Sequence, residues 1–248
     1  MKVLGVIPAR YGSTRFPGKP LALIHGVSMI RRVYERAKQC NKLSEVVVAT
    51  DDDRIQSHVI EFGGQVIMTS VNHNTGTERC AEVLQRQEAL FDAVVNIQGD
   101  EPYIHPEQIG DVVDCLENGS CAIATLVKRI SDIVELNNPN IPKVVLGEDG
   151  RAMYFSRRPI PYVKDELVES FVSQGAFYKH IGIYGYRSDV LPKLALLQPT
   201  VLEHMESLEQ LRWLGHGLAI YTKLTEAANH AVDVPADIEL IERIFPQG

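Results

Sequence analysis

The stretch Val3-Leu4-Gly5-Val6-Ile7-Pro8-Ala9-Arg10-Tyr11-Gly12-Ser13-Thr14-Arg15-Phe16-Pro17-Gly18-Lys19-Pro20 decides the class of fold. Its first five residues form an apolar run far shorter than the roughly 20 that span a bilayer, and too short for a secretory signal. Such a run reads as a strand buried on both faces. The turn after it carries two glycines, two hydroxyls and three cations, Arg10, Arg15 and Lys19. Backbone amides and small side chains in a turn of this kind can wrap a polyphosphate, while Arg and Lys neutralise its charge. The stretch is not a P-loop, because five residues separate Gly12 from Gly18 and Pro20 follows Lys19. It also lacks the G-x-G-x-x-G of a dinucleotide turn.

Outward from this stretch, strand and helix patterns alternate. A helix is expected over 28–40, from Met29, Ile30, Val33 and Ala37 at helical spacing, then a strand over 46–49. Asp51, Asp52 and Asp53 suit the start of a helix over 54–62, which Gly63-Gly64 would end. A strand over 65–68, a helix over 77–87 and a strand over 93–97 follow. Short apolar strands separated by helices imply a mostly parallel, Rossmann-like α/β sheet with helices on both faces. Right-handed crossovers then put the strand C-termini, and any ligand, on one edge. The second half is less regular. It offers a strand over 122–127, a hairpin of 143–146 with 152–155 and a strand over 178–187. A helix over 200–215, a strand over 218–224 and a helix over 235–245 complete it. The region near 125–190 reads as a smaller antiparallel subdomain.

The 248 residues include 25 Lys+Arg and 32 Asp+Glu, a net charge of −7, which argues against nucleic acid or an anionic membrane as the main partner. Nine of the basic side chains and a single acid, Glu35, fall within residues 1–42. That asymmetry points to an anion at the N-terminal end, with a solvated helix face as the plain alternative. Cys40, Cys80, Cys115 and Cys121 show no metal-type spacing and fit a reduced, cytoplasmic protein.

Asp100 follows the strand over 93–97, and Asp233 precedes the helix that Pro235 opens. Two carboxylates from separate strand ends can hold Mg²⁺, which prefers oxygen ligands shared with substrate phosphates. Spacing alone equally allows Asp233 to cap a helix and Asp100 to serve a turn.

The segment IPARYGSTRFPGKPL resembles the signature of the 3-deoxy-manno-octulosonate (Kdo) cytidylyltransferases. The resemblance runs nearly end to end, through VATDD (48–52), GTER (76–79), NIQGDEP (96–102), NPN (138–140), KVVL (143–146), YFSR (154–157), HIGIYGYR (180–187), LEQLR (208–212) and VDVPADIE (232–239). It implies one nucleotidyltransferase domain over 1–248, with a substrate or dimerisation subdomain inserted near 125–190. It implies Mg²⁺ on Asp100 and Asp233, and Arg10, Ser13, Arg15, Lys19 and Gln98 on the nucleotide. Gly76, Thr77 and Arg79 would read the base. Gln98, Arg157, His180, Tyr184, Glu209 and Gln210 would contact the sugar acid, with Arg157 a natural partner for its carboxylate. The activity implied is CMP transfer from CTP to Kdo for lipopolysaccharide synthesis, in a cytoplasmic homodimer, with Lys19, Arg10 and Asp100 catalytic. The alternatives are an 8-amino-Kdo or sialic acid acceptor, or a non-catalytic nucleotide-binding protein of the same fold.

Overall fold

The computed structural model of the chain describes residues 1–228 and 230–246. Strand β1 (Val3–Ala9) is buried almost throughout, as its apolar run requires. A small hairpin of β2 (Leu23–Ile24) and β3 (Val27–Ser28) leads into α1 (Met29–Lys38). Then β4 (Glu45–Thr50), α2 (Asp53–Glu61), β5 (Val66–Met68), α3 (Gly76–Gln85) and β6 (Ala93–Asn96) continue the alternation. Strand β1 pairs in parallel with β4 on one side and β6 on the other, and β4 pairs with β5. The chain therefore winds outward from β1 to β5 and returns past β1 to β6. That reversal opens a crevice beyond the C-terminal ends of β1 and β6, where sheets of this type bind ligands.

Helix α4 (Pro106–Glu117) follows, with Ile109, Val112, Val113 and Leu116 as its buried stripe. The sequence reading passes over this helix. Next come β7 (Ile123–Arg129), α5 (Ile133–Asn137), the hairpin of β8 (Lys143–Leu146) and β9 (Ala152–Ser156), α6 (Val168–Ser173) and β10 (Tyr178–Arg187). Strand β10 runs antiparallel between β6 and β7, and β8 pairs with β10. The antiparallel portion is thus continuous with the main sheet. After α7 (Leu191–Ala195), β11 (Tyr221–Leu224) adds a parallel edge to β7, and α10 (Pro235–Ile244) closes the described fold.

The helix expected over 200–215 is two helices, α8 (Val201–Glu206) and α9 (Gln210–Gly215). Ser207 between them is left-handed, at φ 51°. The break lets the Glu206 carboxylate leave the helical path and accept from Ser156 Oγ at 2.7 Å and from the Arg157 amide at 2.9 Å.

Alternation along β1 supplies both faces of the sheet. Val3 and Ile7 join the apolar cluster beneath α1, α2 and α4, and Leu4 and Val6 the one beneath α3 and α9. A third cluster, around Ile24, Met29, Tyr103, Val232 and Ile241, clamps α10 over the β2–β3 hairpin. The Tyr103 and Phe245 rings stack there at 4.0 Å. Among the described residues no helix is long and apolar enough to cross a membrane.

Candidate active site

The loop after β1 folds back on itself. The amides of Ser13 and Gly18 both donate to the Tyr11 carbonyl at 2.9 Å, and Ser13 Oγ accepts from the Phe16 amide at 3.3 Å. Gly18 holds φ 72°, with the Tyr11 ring against the side where a Cβ would sit, so a side chain there would be strained. The Arg54 guanidinium covers the same ring at 3.3 Å. This arrangement turns Lys19 inward at the head of a 3-10 turn and leaves Arg10 exposed at the mouth of the crevice.

The opposite wall is the loop after β6. A Cβ on Gly99 would lie 2.8 Å from the Pro8 carbonyl, so only glycine lets Gln98-Gly99-Asp100 press against the end of β1. The Asp100 carbonyl accepts from the Val232 amide at 2.9 Å, which brings Asp233 across the crevice. Lys19 Nζ sits between the carboxylates, donating to Asp100 Oδ2 at 2.8 Å and the Val232 carbonyl at 2.9 Å. Asp233 Oδ1 lies 3.9 Å from it and accepts from Arg15 Nη2 at 2.9 Å. The cleft so formed measures about 270 Å³ and includes Arg10, Ser13 and Gln98 in its wall. A hollow of about 590 Å³ beside the β8–β9 turn is larger. It lacks this convergence of cations and carboxylates, and convergent polar groups rather than size mark a site.

Two carboxylates aimed at one cationic point are a hard-oxygen donor pair, and Mg²⁺ is commonly held by one or two carboxylates plus phosphate oxygens. Among the described residues no group of three or more His, Cys, Asp or Glu side chains gathers as a metal cage. The donor set therefore fits an ion that arrives with a nucleotide.

The N-terminal half of β10 lies beside this cleft. Gln98 Nε2 donates to the Gly182 carbonyl at 2.8 Å. Strict alternation of β10 fails between Ile181 and Tyr184, where the pairing to β7 slips. The slip adds two residues, so parity survives, and the His180 and Tyr184 rings still meet at 5.2 Å. Burial pushes the His180 imidazole down from 6.5 to about 3, which keeps it neutral. Burial raises Tyr184 well above the usual tyrosine range, and its hydroxyl has no hydrogen-bond partner among the described residues. Glu209 immediately precedes α9, and its carboxylate accepts from Thr77 Oγ1 at 3.1 Å. Burial raises its pKa against the opposing pull of the Thr75 and Thr77 hydroxyls. Gln210 beside it is buried.

Arg79, Arg157 and Thr77 already have partners within the chain. Arg79 is buried, its guanidinium donating to Thr69 Oγ1 at 2.8 Å, the Ser70 carbonyl at 3.3 Å and Asp51 Oδ2 at 2.5 Å. It ties α3 to the ends of β4 and β5. It also takes Asp51 out of the helix cap, which Asp52 alone provides. Arg157 is held by carbonyls, from Nε to Glu206 at 2.7 Å, Nη1 to Pro139 at 3.1 Å and Nη2 to Ser207 at 3.2 Å. Those bonds engage three of its five donors and leave two for a carboxylate. Thr77, expected on the base, turns its hydroxyl inward to Glu209 and Tyr186. Gly76 opens α3 against Pro8 and Asn96.

A family model described as Cytidylyltransferase matches residues 4–223. A 3-deoxy-manno-octulosonate cytidylyltransferase of Parabacteroides distasonis is 51% identical over 243 residues, covering 96% of each chain. The chain belongs to the 3-deoxy-manno-octulosonate cytidylyltransferase family. A relative of the same name from Cytophaga hutchinsonii is 46% identical over 239 residues, covering 96% of this chain and 95% of its own. A solved structure of CMP:2-keto-3-deoxy-manno-octonic acid synthetase complexed with CTP is similar with a TM-score of 0.90 and 42% identity. The match covers 100% of this chain and 99% of that one.

Within this cytidylyltransferase, sequence reasoning missed the groups that hold the site residues in place. Thr125 bonds the β10 slip, Glu206 anchors Arg157, and the fully buried Lys143 ammonium donates to the carbonyls of Asn138 and Ile141. None sits in a recognisable chemical motif except Lys143, whose KVVL context reads simply as a strand.

Proposed function

We propose that the chain transfers CMP from CTP to 3-deoxy-manno-octulosonate with release of pyrophosphate, as a single nucleotidyltransferase domain acting in a homodimer. The observation that carries this reading is the meeting of the cationic β1 loop with Asp100 and Asp233 at Lys19 Nζ, at the sheet edge where ligands bind. The names of the relatives support the choice of nucleotide and sugar.

In the reaction the anomeric hydroxyl of the sugar forms a bond to the α-phosphorus while the bond to the pyrophosphate oxygen breaks. A magnesium ion held by Asp100 and Asp233 would, when bound, neutralise charge on the α-phosphate and favour loss of the attacking hydroxyl's proton. Arg10 and Arg15 are placed to hold the triphosphate, and Lys19 can exchange a carboxylate for a phosphate oxygen without leaving the cleft. Ser13 and Gln98 line the same wall, and the start of α3 at Gly76 and Thr77 offers backbone donors to the cytosine edge. His180, Tyr184, Glu209 and Gln210 shape the sugar side, with Arg157 fixed at its rim by carbonyls. Retention of Lys19, Asp100 and Asp233 in one cleft favours an enzyme over a non-catalytic nucleotide-binding protein.

The test is pyrophosphate release from CTP and Mg²⁺ by the purified chain, with Kdo, 8-amino-Kdo or sialic acid added separately. Kdo should give stoichiometric pyrophosphate and CMP-sugar. Release that ignores Kdo, or that needs one of the other sugars, overturns the assignment.

A further inference from the structure

Strand β7 places Thr125 opposite the two-residue slip of β10, and the threonine is fully buried. Its Oγ1 lies 2.7 Å from the Ile183 carbonyl, 3.1 Å from the Ile181 carbonyl and 3.0 Å from His180 Nε2. A hydroxyl has one proton, and both carbonyls can only accept. Two oxygens at 2.7 Å need that proton between them, because lone pairs facing each other at this distance in a buried site repel. The proton therefore goes to the Ile183 carbonyl, and an Oγ1 lone pair faces the imidazole. The imidazole must supply the proton of that third contact.

We propose that Thr125 is a positioning residue that fixes His180 as the Nε2–H tautomer and leaves Nδ1 as a bare acceptor for a hydroxyl of the sugar acid. The sugar half of this inference rests on the proposed function; the tautomer does not. Among the described residues Nδ1 has no hydrogen-bond partner, while the Phe155 and Tyr184 rings fix the plane of the imidazole at centroid distances of 5.2 Å each. A ring kept neutral by burial cannot answer a carboxylate with charge, and a lone pair at Nδ1 repels one. The sugar must then approach His180 with a hydroxyl, and its carboxylate must lie elsewhere. His180 orients the acceptor and does not deprotonate it. The arrangement also explains why threonine occupies this strand position. The slip leaves Gly182 and Ile183 without a register partner on β7, and one hydroxyl serves both the Ile183 carbonyl and the ring.

The experiment is ¹⁵N NMR of histidine-labelled protein without substrate, with the His180 signals assigned by their loss in His180→Asn. Wild type should show a protonated Nε2 and a pyridine-like Nδ1. Thr125→Val, equal in shape but without the hydroxyl, should move both ¹⁵N shifts toward a tautomer mixture. It should also raise the KM for Kdo about tenfold, for one lost orienting hydrogen bond, with the KM for CTP unchanged. Thr125→Ser should restore both the shifts and the KM. A protonated Nδ1 in wild type overturns the inference, as does a Thr125→Val protein with wild-type shifts and KM. Should Thr125→Val fail to fold, the wild-type tautomer and the Kdo KM of Thr125→Ser decide. If wild type has the stated tautomer yet does not turn over Kdo, the substrate assignment fails and the tautomer stands.

Discussion

The neutral His180 should make the protein acid-sensitive in a calculable way. In the unfolded chain this histidine takes up its proton near pH 6.5, and in the folded chain only near about 3. Between those values the unfolded state binds more protons, so stability is complete above pH 6.5 and falls as pH falls, levelling off below about pH 3. At pH 5 the cost does not depend on the exact folded value, provided that value lies well below 5. Relative to pH 7, 1.5 pH units below 6.5 correspond to a loss of about 2 kcal/mol from this one residue. The assay is urea denaturation at pH 7 and pH 5 for wild type and for His180→Asn. The variant will carry an offset from lost ring packing against Phe155 and Tyr184, but that offset is the same at both pH values and cancels in the difference. Other groups titrate in both proteins alike, including His230, whose pKa is lowered by burial and then by the nearby Lys179, His105 and Lys128. Wild type should therefore lose about 2 kcal/mol more than the variant between pH 7 and pH 5. Equal losses in the two proteins would refute the reasoning.

Three further outcomes test the site. Asp100→Asn should reduce CMP-sugar formation by several orders of magnitude while leaving the thermal midpoint within a few degrees of wild type, as turnover assays and calorimetry would show; brisk turnover with magnesium removes Asp100 from the reaction. Lys19→Met deletes the ammonium shared by Asp100, Asp233 and the Val232 carbonyl, so it should lower stability by about 1–2 kcal/mol in this partly exposed setting. It should also raise the KM for CTP more than that for Kdo, and an unchanged CTP KM would count against the phosphate role. Gly99→Ala forces a Cβ against the Pro8 carbonyl at 2.8 Å. The backbone must shift at a cost of about 1–3 kcal/mol, and kcat should fall with Asp100 displaced; an unchanged melting temperature and kcat would show that the contact is soft.

Much of the frame was legible because local signals agreed. The apolar run before a glycine- and cation-rich turn marked β1 and its loop, and the alternation through β6 placed Asp100 at the ligand edge. The 200–215 helix misled because Leu202, Met205, Leu208, Leu211 and Leu214, at steps of three, run on past Ser207, while the reason for the break lies in Glu206 reaching Ser156 and Arg157, some fifty residues back in sequence. The partner of Arg79 was hidden for the same reason. The Arg79 charge meets Asp51, 28 positions away, in a pair that no spacing rule reports. Thr125 was invisible because a threonine in an apolar strand is ordinary until its partner strand slips. What sequence conveys poorly is which polar group a distant element has already claimed.

The antiparallel run of β10 has a consequence for how such an enzyme can be remade. Because Tyr184 pairs with Asn96 at the end of β6, residues 178–184 reach the ligand edge as part of a strand ladder. The proposed nucleotide end is made differently, from loops after β1 and β6. Loops tolerate exchange, whereas moving a strand by one residue turns every side chain to the other face. A different nucleotide could be accommodated by grafting new turns onto an unchanged sheet. On the proposed placement of the sugar acid beside His180 and Tyr184, a new acceptor calls for substitutions within a strand whose register is kept, because an insertion there turns every later side chain to the other face.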